Sequence, residues 1–262
     1  MSRAAFRFDL SVYAPGCCQP AHSHDHLSVS IALRGQIAEQ VGDTIEQAFA
    51  LSAVVKDPGV THADEFGPSG AVMARLSIRD LCFSDLADER GKAPAWRWIH
   101  HPEAAAPFLR LVERATRGQG TFAVDDGDVV DLLSAFTSRC NAGQGVPPRW
   151  LRLAMEQLRD TAASTLTVRD VAGSAGVHPV YLARAVRRWY GTTPAAELRS
   201  ARLRRAAEAI AHGDDTATRI AHRHGFADQP HLCRVFGKAT GITPGLFRRL
   251  VSRIQGDARK TA

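Results

Sequence analysis

Histidines at alternate positions are the first residues in this chain whose spacing could do chemistry. His22, His24 and His26 stand in the segment PAHSHDHLSVSIALRG, residues 20 to 35, and His62 closes the later segment DPGVTH. Imidazole nitrogens bind divalent transition metals, and uncharged imidazoles also line polar pockets. Three interpretations follow: a metal site, a metal-free ligand pocket, and structural or surface histidines.

The residues after the histidines favour a β-strand. Apolar side chains alternate there, at Leu27, Val29, Ile31 and Leu33. In one regular strand over 22–33, the three histidines would share a face with Ser28, opposite the apolar side chains. The histidines then line an interior only if a bulge near residues 25–27 shifts the register, or if helices cover the apolar face.

The spacing of apolar and turn residues divides the chain into two domains. Residues 6–80 show short strands separated by turn residues, typical of an all-β sandwich or barrel, and the longer period over 94–139 predicts two helices. The segment NAGQGVPPR predicts a linker. We therefore expect an α+β protein with these parts: a first domain over 1–140, a linker over 141–149, an all-α domain over 150–254 and a flexible tail over 255–262.

The charge is divided in the same way. Residues 149–262 hold 20 of the 33 Lys and Arg but 9 of the 27 acidic residues, a net +11, whereas residues 1–148 carry −5. This asymmetry indicates a polyanion-binding module joined to one of another kind.

The chain shows no apolar run near the about 20 residues of a membrane span and no signal peptide, so we expect a cytoplasmic protein without a membrane partner. Its five scattered cysteines predict free thiols.

The second domain contains an internal repeat. The segment VRDVAGSAGVHPVYLARAVRRWYGTTP, residues 168–194, aligns with ATRIAHRHGFADQPHLCRVFGKATGITP, residues 217–244, with one extra residue in the second copy. Each copy predicts a short helix with an Ala, a Gly four residues later, and a second helix, which is the layout of a helix-turn-helix. Between the copies, residues 193–213 predict one long helix that starts at the cap Thr193 and stops at Gly213.

The second helix of each copy has an inward and an outward side. In the first copy, Leu182, Ala185, Val186 and Trp189 form the buried stripe, and in the second copy Leu232, Val235 and Phe236 do so. The outward residues are Val180, Ala183, Arg184, Arg187 and Arg188 in the first copy, and Gln229, Pro230, His231, Arg234 and Lys238 in the second. Exposed Arg and Gln can make paired hydrogen bonds to base edges in the major groove of DNA. The same reasoning places Arg199, Arg202, Arg204 and Arg205 on the exposed side of the long helix.

Residues 150–250 resemble the DNA-binding domain of AraC/XylS-type bacterial transcription regulators. The resemblance is carried by the double motif and above all by IAHRHGFADQPHLCRVFGKATGITPGLFRR, residues 220–249. It implies that Val180, Ala183 and Arg184 face bases from the first copy, and Gln229, Pro230, His231 and Arg234 from the second. Other basic residues are interpreted as phosphate contacts or solvated charges: Arg187, Arg188, Arg202, Arg205, Lys238, Arg248 and Arg249. Two departures are His178 in place of a small capping residue and Pro230 in place of a polar one. We expect the first copy to discriminate bases more strongly.

The resemblance also implies a cupin-like β-barrel in the first domain, which senses an effector and commonly mediates dimerisation. Metal-binding cupins follow their paired histidines with a Glu, and Ser28 or Val29 stands there instead. The metal set is then His22, His24 and His62, with an oxygen from Asp25, Asp64 or Glu65; the metal-free effector pocket would be lined by His22, His24, His26, Ser28 and His62.

We expect a transcription regulator that is not an enzyme, controlled by a small-molecule or metal effector. Its partners would be promoter DNA and RNA polymerase, and activation is the usual outcome in the family. The alternative is a cupin-type metal enzyme with a basic accessory domain.

Overall fold

A computed structural model of the chain describes residues 6–79, 81, 95–117, 122–137, 147–159 and 166–261. Most of the predicted linker, residues 141–146, lies outside the described residues, as do Cys82 and Cys140. Cys17, Cys18 and Cys233 are free thiols, as expected. Seven strands precede the helices, in this order: β1 (Phe6–Tyr13), β2 (Cys18–His22), β3 (Leu27–Val41), β4 (Thr44–Ala48), β5 (Ala53–Lys56), β6 (His62–Ile78) and β7 (Trp96–Ile99).

The strands form one antiparallel sheet around the long pair β3 and β6. The order is β1-β6-β3-β5-β7, while β2 pairs with the first half of β6 and β4 with the second half of β3. Within the described residues the sheet is open, because β1 and β7 lie at its two ends and do not pair with each other. The observed strand pairing therefore does not form the closed barrel that the resemblance implies. The strands β2 and β4 were missed by the sequence analysis because both are short and largely exposed.

Two glycines bend the central pair. Register shifts interrupt the β3–β6 pairing on both sides of Gly35. Gly35 has φ +92°, and a Cβ atom there would lie 2.0 Å from the carbonyl oxygen of Gly70. Gly70 itself has φ +67° and approaches the carbonyl oxygen of Tyr13. Both positions therefore require glycine. An apolar cluster joins Ile37 and Phe66 from one half of the sheet to Val54 and Met73 from the other, so the two halves face each other.

The helices follow in chain order after a short 3₁₀ helix over Pro102–Ala105. They are α1 (Ala106–Arg117), α2 (Asp126–Thr137), α3 (Arg149–Arg159), α4 (Val168–Ser174), α5 (Pro179–Tyr190), α6 (Pro194–His212), α7 (Ala217–Arg223), α8 (Gln229–Thr240) and α9 (Pro244–Thr261). The long helix between the repeats is α6, which rises about 28 Å at 1.5 Å per residue. Each copy of the repeat is a helix-turn-helix: α4 with α5, and α7 with α8.

Three expectations are corrected by these elements. Residues 22–33 are not one strand, because β2 ends at His22 and β3 begins at Leu27, with a turn between them. Residues 96–99 are a strand, β7, and the first helix of the expected pair begins only at Ala106. The segment after residue 254, expected to be a flexible tail, is part of helix α9, which ends at Thr261.

The sheet has two different faces, which we call the helix face and the polar face. The helix face carries Leu27, Val29, Ile31 and Leu33, which pack in one cluster with Phe108 and Leu111 of α1 and Leu132 and Phe136 of α2. Helices therefore cover the apolar side of β3, the second of the two conditions set by the sequence. The polar face is the opposite side and carries Ser28 and Ser30 of β3 together with Lys56, the partner of Ser28 on β5.

Candidate DNA interface and sensor site

Local capping defines the first helix-turn-helix. Thr167 and Asp170 form a reciprocal capping box at the start of α4, and Gly176 turns the chain with φ +67°. The imidazole of His178 then caps α5, because its Nδ1 accepts the backbone N–H of Val180 at 3.2 Å. His178 is thus the N-cap of α5, at the position where a small capping residue was expected.

The second helix-turn-helix is built in the same way. Thr216 caps α7, Gly225 turns the chain with φ +75°, and Asp228 caps α8 by accepting the backbone N–H of His231 at 2.6 Å. Pro230 lies in the first turn of α8, where its missing N–H removes no helical hydrogen bond. The two copies therefore share their caps and turns, as the repeat predicts.

Both second helices present the predicted residues on their outer surface. Val180, Arg184, Arg187 and Arg188 are exposed on α5, as are Gln229, Pro230, Arg234 and Lys238 on α8, while Ala183 and His231 are half-buried. In the described part of the chain, no carboxylate lies within 4.0 Å of the guanidinium group of Arg184 or Arg234. These two arginines are not held by an ion pair, which was the structural alternative to base contact.

Side chains at the start of α8 are already engaged within the protein. The amide oxygen of Gln229 accepts the hydroxyl hydrogen of Thr218 at 3.1 Å. The ring of His231 packs edge-on against Phe226, with centroids 5.6 Å apart, and its Nδ1 accepts the backbone N–H of Ala227 at 3.2 Å. Of the polar residues predicted to face bases from α8, Gln229 and His231 thus have partners within the protein, whereas Arg234 is exposed.

Two arginines predicted on the surface are structural instead. Arg204 is only 4% exposed and donates to the carbonyl oxygen of His100 at 2.7 Å and to that of Arg159 at 3.3 Å. Arg248 is half-buried and donates to the carbonyl oxygens of Ile210 and Asp215, closing the end of α6. The sequence analysis placed both outside because helical spacing does not reveal which surface is covered by a distant element.

On the sheet, the expected metal set is brought together. One ring nitrogen from each of His22, His24 and His62 lies within 4.8 Å of the others. Of the three, His62 is buried at 1% exposure. His26 lies beside them, with its ring stacked on that of His24, but its Nδ1 bonds the exposed Asp25 at 2.9 Å. Cys17 and Cys18 do not join a metal-binding group within the described residues.

A buried ion pair that the sequence analysis missed lies next to this histidine cluster. Glu39, 1% exposed, receives hydrogen bonds from Lys56 and from the indole N–H groups of Trp96 at 2.5 Å and Trp98 at 2.6 Å. Burial raises the pKa of Glu39, but Lys56 and these donors lower it further, so the carboxylate stays charged. The one signal in the sequence was Lys56 inside the apolar run AVVK.

Two histidines of the cluster, His24 and His62, are uncharged at neutral pH. Burial, then Arg75 and the neighbouring histidines, lower the pKa of His24 to about 4. Burial and Lys56 lower the pKa of His62 to about 4 against the opposing effect of the Val60 carbonyl and Glu39. Burial and the nearby Glu39 raise the pKa of Asp64 to about 6, although Lys56 opposes them. This group of residues is therefore rich in neutral nitrogen donors.

Polar contacts join the sheet to α6. Both carboxylate oxygens of Glu208 accept the backbone N–H of Gly35, at 3.0 and 2.9 Å. Glu197, 2% exposed, lies 3.0 Å from Nε2 of His101. Burial raises the pKa of Glu197, but His101, followed by Arg159 and Arg204, lowers it to about 2. The helix that connects the two helix-turn-helix units thus contacts the sheet domain through the half-buried Glu208 and the buried Glu197.

Two helix-turn-helix units on one connecting helix, with basic outer helices, define a double-headed DNA-binding domain. A family model described as a helix-turn-helix domain matches residues 171–250. The HTH-type transcriptional activator RhaS of Escherichia fergusonii is 25% identical over 158 residues, which cover 59% of this chain and 57% of RhaS. The regulatory protein PocR of Salmonella typhimurium is 24% identical over 150 residues, covering 57% and 48% of the two chains.

A solved structure is also similar, that of the C-terminal domain of AraT, a response regulator from Geobacillus stearothermophilus. It is 29% identical, covers 40% of this chain and 88% of that one, and has a TM-score of 0.37. The chain spans about half the length of the curated relatives it matches. Over the C-terminal region, the matching domain model and these relatives agree with the resemblance to AraC/XylS-type regulators that the sequence predicts.

None of the helices in the described part of the chain combines the length and apolar character that crossing a membrane requires.

Proposed function

We propose that this protein is a sequence-specific transcription regulator that reads promoter DNA with α5 and α8. The observation that carries the proposal is the pair of arginines, Arg184 and Arg234, exposed at equivalent positions of the repeat without a carboxylate partner in the described residues. An arginine on a helix that enters the major groove bonds the O6 and N7 atoms of guanine in a bidentate way. Successive major-groove segments on one face of DNA are about 34 Å apart, a span that α6 with its two flanking units suits.

The sheet domain is the proposed sensor. Its relation to cupins rests on the sequence resemblance, and its polar face holds the proposed effector pocket of His22, His24, His26, Ser28 and His62. Among the described residues, the side-chain oxygens of Ser28 and Ser30 and the Nε2 atoms of His24 and His62 are buried and find no hydrogen-bond partner. Buried polar atoms of this kind are normally satisfied, and a polar ligand supplies the missing partners. In this proposal the protein acts in the cytoplasm as an activator that contacts RNA polymerase and dimerises through the sheet domain.

Contacts between the sheet and α6 give the sensor a route to the DNA-reading helices. Arg204 and Glu208 both bond backbone atoms of the sheet domain, namely His100 and Gly35. An effector that binds one arrangement of the sheet more tightly than another would shift the orientation of α6, and with it the separation of the two units. This is the regulated step in the proposal.

Selection of bound fragments from the organism's own genome tests the DNA-reading role. The unchanged chain is expected to enrich one sequence motif with two half-sites. Arg184→Ala should remove about 1–3 kcal/mol of discrimination at one base pair of that motif, since a bidentate contact is lost. Arg110→Ala, a change of an exposed arginine on α1, is the matched control and should leave the motif unchanged. An unaltered motif with Arg184→Ala would remove that residue from the reading surface, and no enriched motif with the unchanged chain would reject the function.

A further inference from the structure

We propose that His22, His24 and His62 bind one divalent transition-metal ion, and that this ion is the ligand sensed by the sheet domain. The claim that the ion is the sensed ligand rests on the proposed function. The claim that the three histidines bind an ion does not depend on it. Three imidazoles are a ligand set for Zn²⁺, Co²⁺, Ni²⁺ or Cu²⁺, and leave a coordination position for water or a carboxylate.

Hydrogen bonds set the ring tautomers for coordination. Nδ1 of His22 lies 2.8 Å from the carbonyl oxygen of Pro20, and Nδ1 of His62 lies 3.1 Å from that of Val60. A carbonyl oxygen only accepts, so in both rings Nδ1 carries the hydrogen and Nε2 keeps its lone pair. A backbone carbonyl that holds the far nitrogen of the ring is the usual arrangement behind a metal-binding histidine.

The three rings bring one nitrogen each close together. The nitrogens, one from each ring, lie within 4.8 Å of one another, and the ring centroids of His22 and His62 are 4.3 Å apart. Nitrogens bound to one tetrahedral zinc at 2.0–2.1 Å are about 3.4 Å apart, so modest side-chain rotations complete the site. Nε2 of His24 and of the fully buried His62 has no hydrogen-bond partner within the described residues. A bound cation would satisfy both.

Asp64 is the carboxylate nearest to the site. Its Oδ2 lies 3.9 Å from Nε2 of His62, too far for a hydrogen bond but close enough to approach a bound ion. Glu39 also lies within ligand distance of His62 and Asp64, yet its oxygens already receive hydrogen bonds from Lys56, Trp96 and Trp98. We therefore assign three histidines as ligands, Asp64 as the neighbouring acid, and Glu39 as a group that stays outside the coordination sphere.

The same residues connect the metal site to α6. Asp64 pairs with Glu39 across β6 and β3, and Glu39 holds the indole of Trp98. The Trp98 ring stacks on that of His100, whose carbonyl oxygen accepts from Arg204 of α6. A divalent cation beside Asp64 changes the charge at the start of this series of contacts. Through Glu39, Trp98 and His100, its binding would alter the position of α6 and of the two helix-turn-helix units.

The test uses the full chain, stripped with a chelator and then titrated with Zn²⁺ or Co²⁺. We expect one ion per chain, and with Co²⁺ the visible absorption bands of a low-symmetry site with nitrogen ligands. His22→Ala with His24→Ala should weaken binding more than about 100-fold, beyond the loss from outer-shell changes. His222→Ala is the control, because this exposed histidine lies on α7, outside the sheet domain, and it should keep binding within a few-fold. Because the double variant could lose its fold, its thermal unfolding is followed, and the Co²⁺ spectrum of the unchanged chain reports the ligands independently.

The two proposals fail separately. Absence of uptake of either ion, or equal uptake by the double variant, would overturn the metal site while leaving the selected DNA motif intact. Metal uptake by a chain that selects no DNA motif would overturn the regulator and leave the metal site standing. If both hold, the metal-loaded and chelated proteins should differ in affinity for the selected motif, and equal affinities would show that the ion is not the sensed ligand.

Discussion

The two helix-turn-helix units follow one sequence pattern but are anchored to different cores. In the described residues, the first unit packs in a cluster drawn from α3, α4, α5 and the start of α6. The second unit packs in the large cluster that also contains the helix face of the sheet, α1 and α2. Leu182 of α5 and Leu232 of α8, at equivalent places in the two copies, thus belong to separate apolar clusters.

This difference assigns the two units different mechanical roles. The second unit lies against the sheet domain, because α8 contacts the 3₁₀ helix and α1, and the following helix α9 contacts β1. The first unit reaches the sheet domain through α3 and α6, where Glu197 and Arg204 meet His101 and His100. A change in the sheet would therefore alter the position of the first unit relative to the second.

Cavity-forming substitutions give the largest expected effect. Phe236→Ala removes a fully buried ring that packs on Phe247 with centroids 5.5 Å apart, and should cost about 3–5 kcal/mol of unfolding free energy. Because this cluster is shared, amides of β3 and β6 should exchange hydrogen faster together with those of α6–α9. Leu182→Ala, a cavity-forming change in the core of the first unit, should cost about 2–5 kcal/mol and speed exchange mainly in α3–α5. Equal loss of protection in β3 with both variants would show that the two cores unfold as one.

Removal of the buried arginine at the junction is expected to have the next largest effect. Arg204→Met keeps the apolar stem but leaves the carbonyls of His100 and Arg159 without this donor and removes one of the two arginines that face Glu197, a loss of about 3 kcal/mol. Denaturant unfolding measures it. Arg202→Met is the control on the same helix, since Arg202 donates to Leu166 inside the C-terminal region, and about 1 kcal/mol is expected. If the two variants lose the same amount, the contacts to the sheet do not fasten α6.

Local signals explain why the repeat was predicted so closely. Caps such as Thr167 and Asp228, and turn glycines such as Gly176, act within four residues of themselves, so their spacing alone places the helices. The alternation of Leu27 to Leu33 likewise identifies a strand. In both cases the residues that define the element lie next to each other in the chain.

Contacts between distant segments explain what could not be predicted. The burial of Arg204 depends on His100, 104 residues away, and the partner of Glu208 is Gly35, 173 residues away. The grouping of His22 and His24 with His62 depends on the β2–β6 pairing, which the short β2 does not signal. The break in the expected strand over 22–33 follows from the same pairing. Residue types suggested the metal set, but strand topology decided that the three histidines meet.

The smallest expected effect is on the pH dependence of stability. His100 lies at the junction, faced by Glu46 of β4, Ser52, Arg159 of α3 and Arg204 of α6. Burial lowers the pKa of His100 from 6.5 to about 4. The hydrogen bond with Glu46 opposes this shift, and the positive charges of Arg204 and Arg159 add to it. Between these values the unfolded chain binds the proton and the folded chain does not. Stability is therefore complete above about pH 6.5 and falls as the pH drops toward 4, with about 2 kcal/mol lost at pH 5 from this group.

His100→Gln should remove that part of the pH dependence, because glutamine keeps the backbone carbonyl that Arg204 needs and does not titrate. The measurement is the difference in unfolding free energy between pH 7 and pH 5, which should shrink by about 2 kcal/mol relative to the unchanged chain. Leu182→Ala is the control: it weakens the first unit but leaves His100 in place, so its pH difference should match that of the unchanged chain. The opposite pattern, a pH difference kept by His100→Gln and lost by Leu182→Ala, would place the acid-sensitive contact in the first unit and reverse the roles assigned to the two cores.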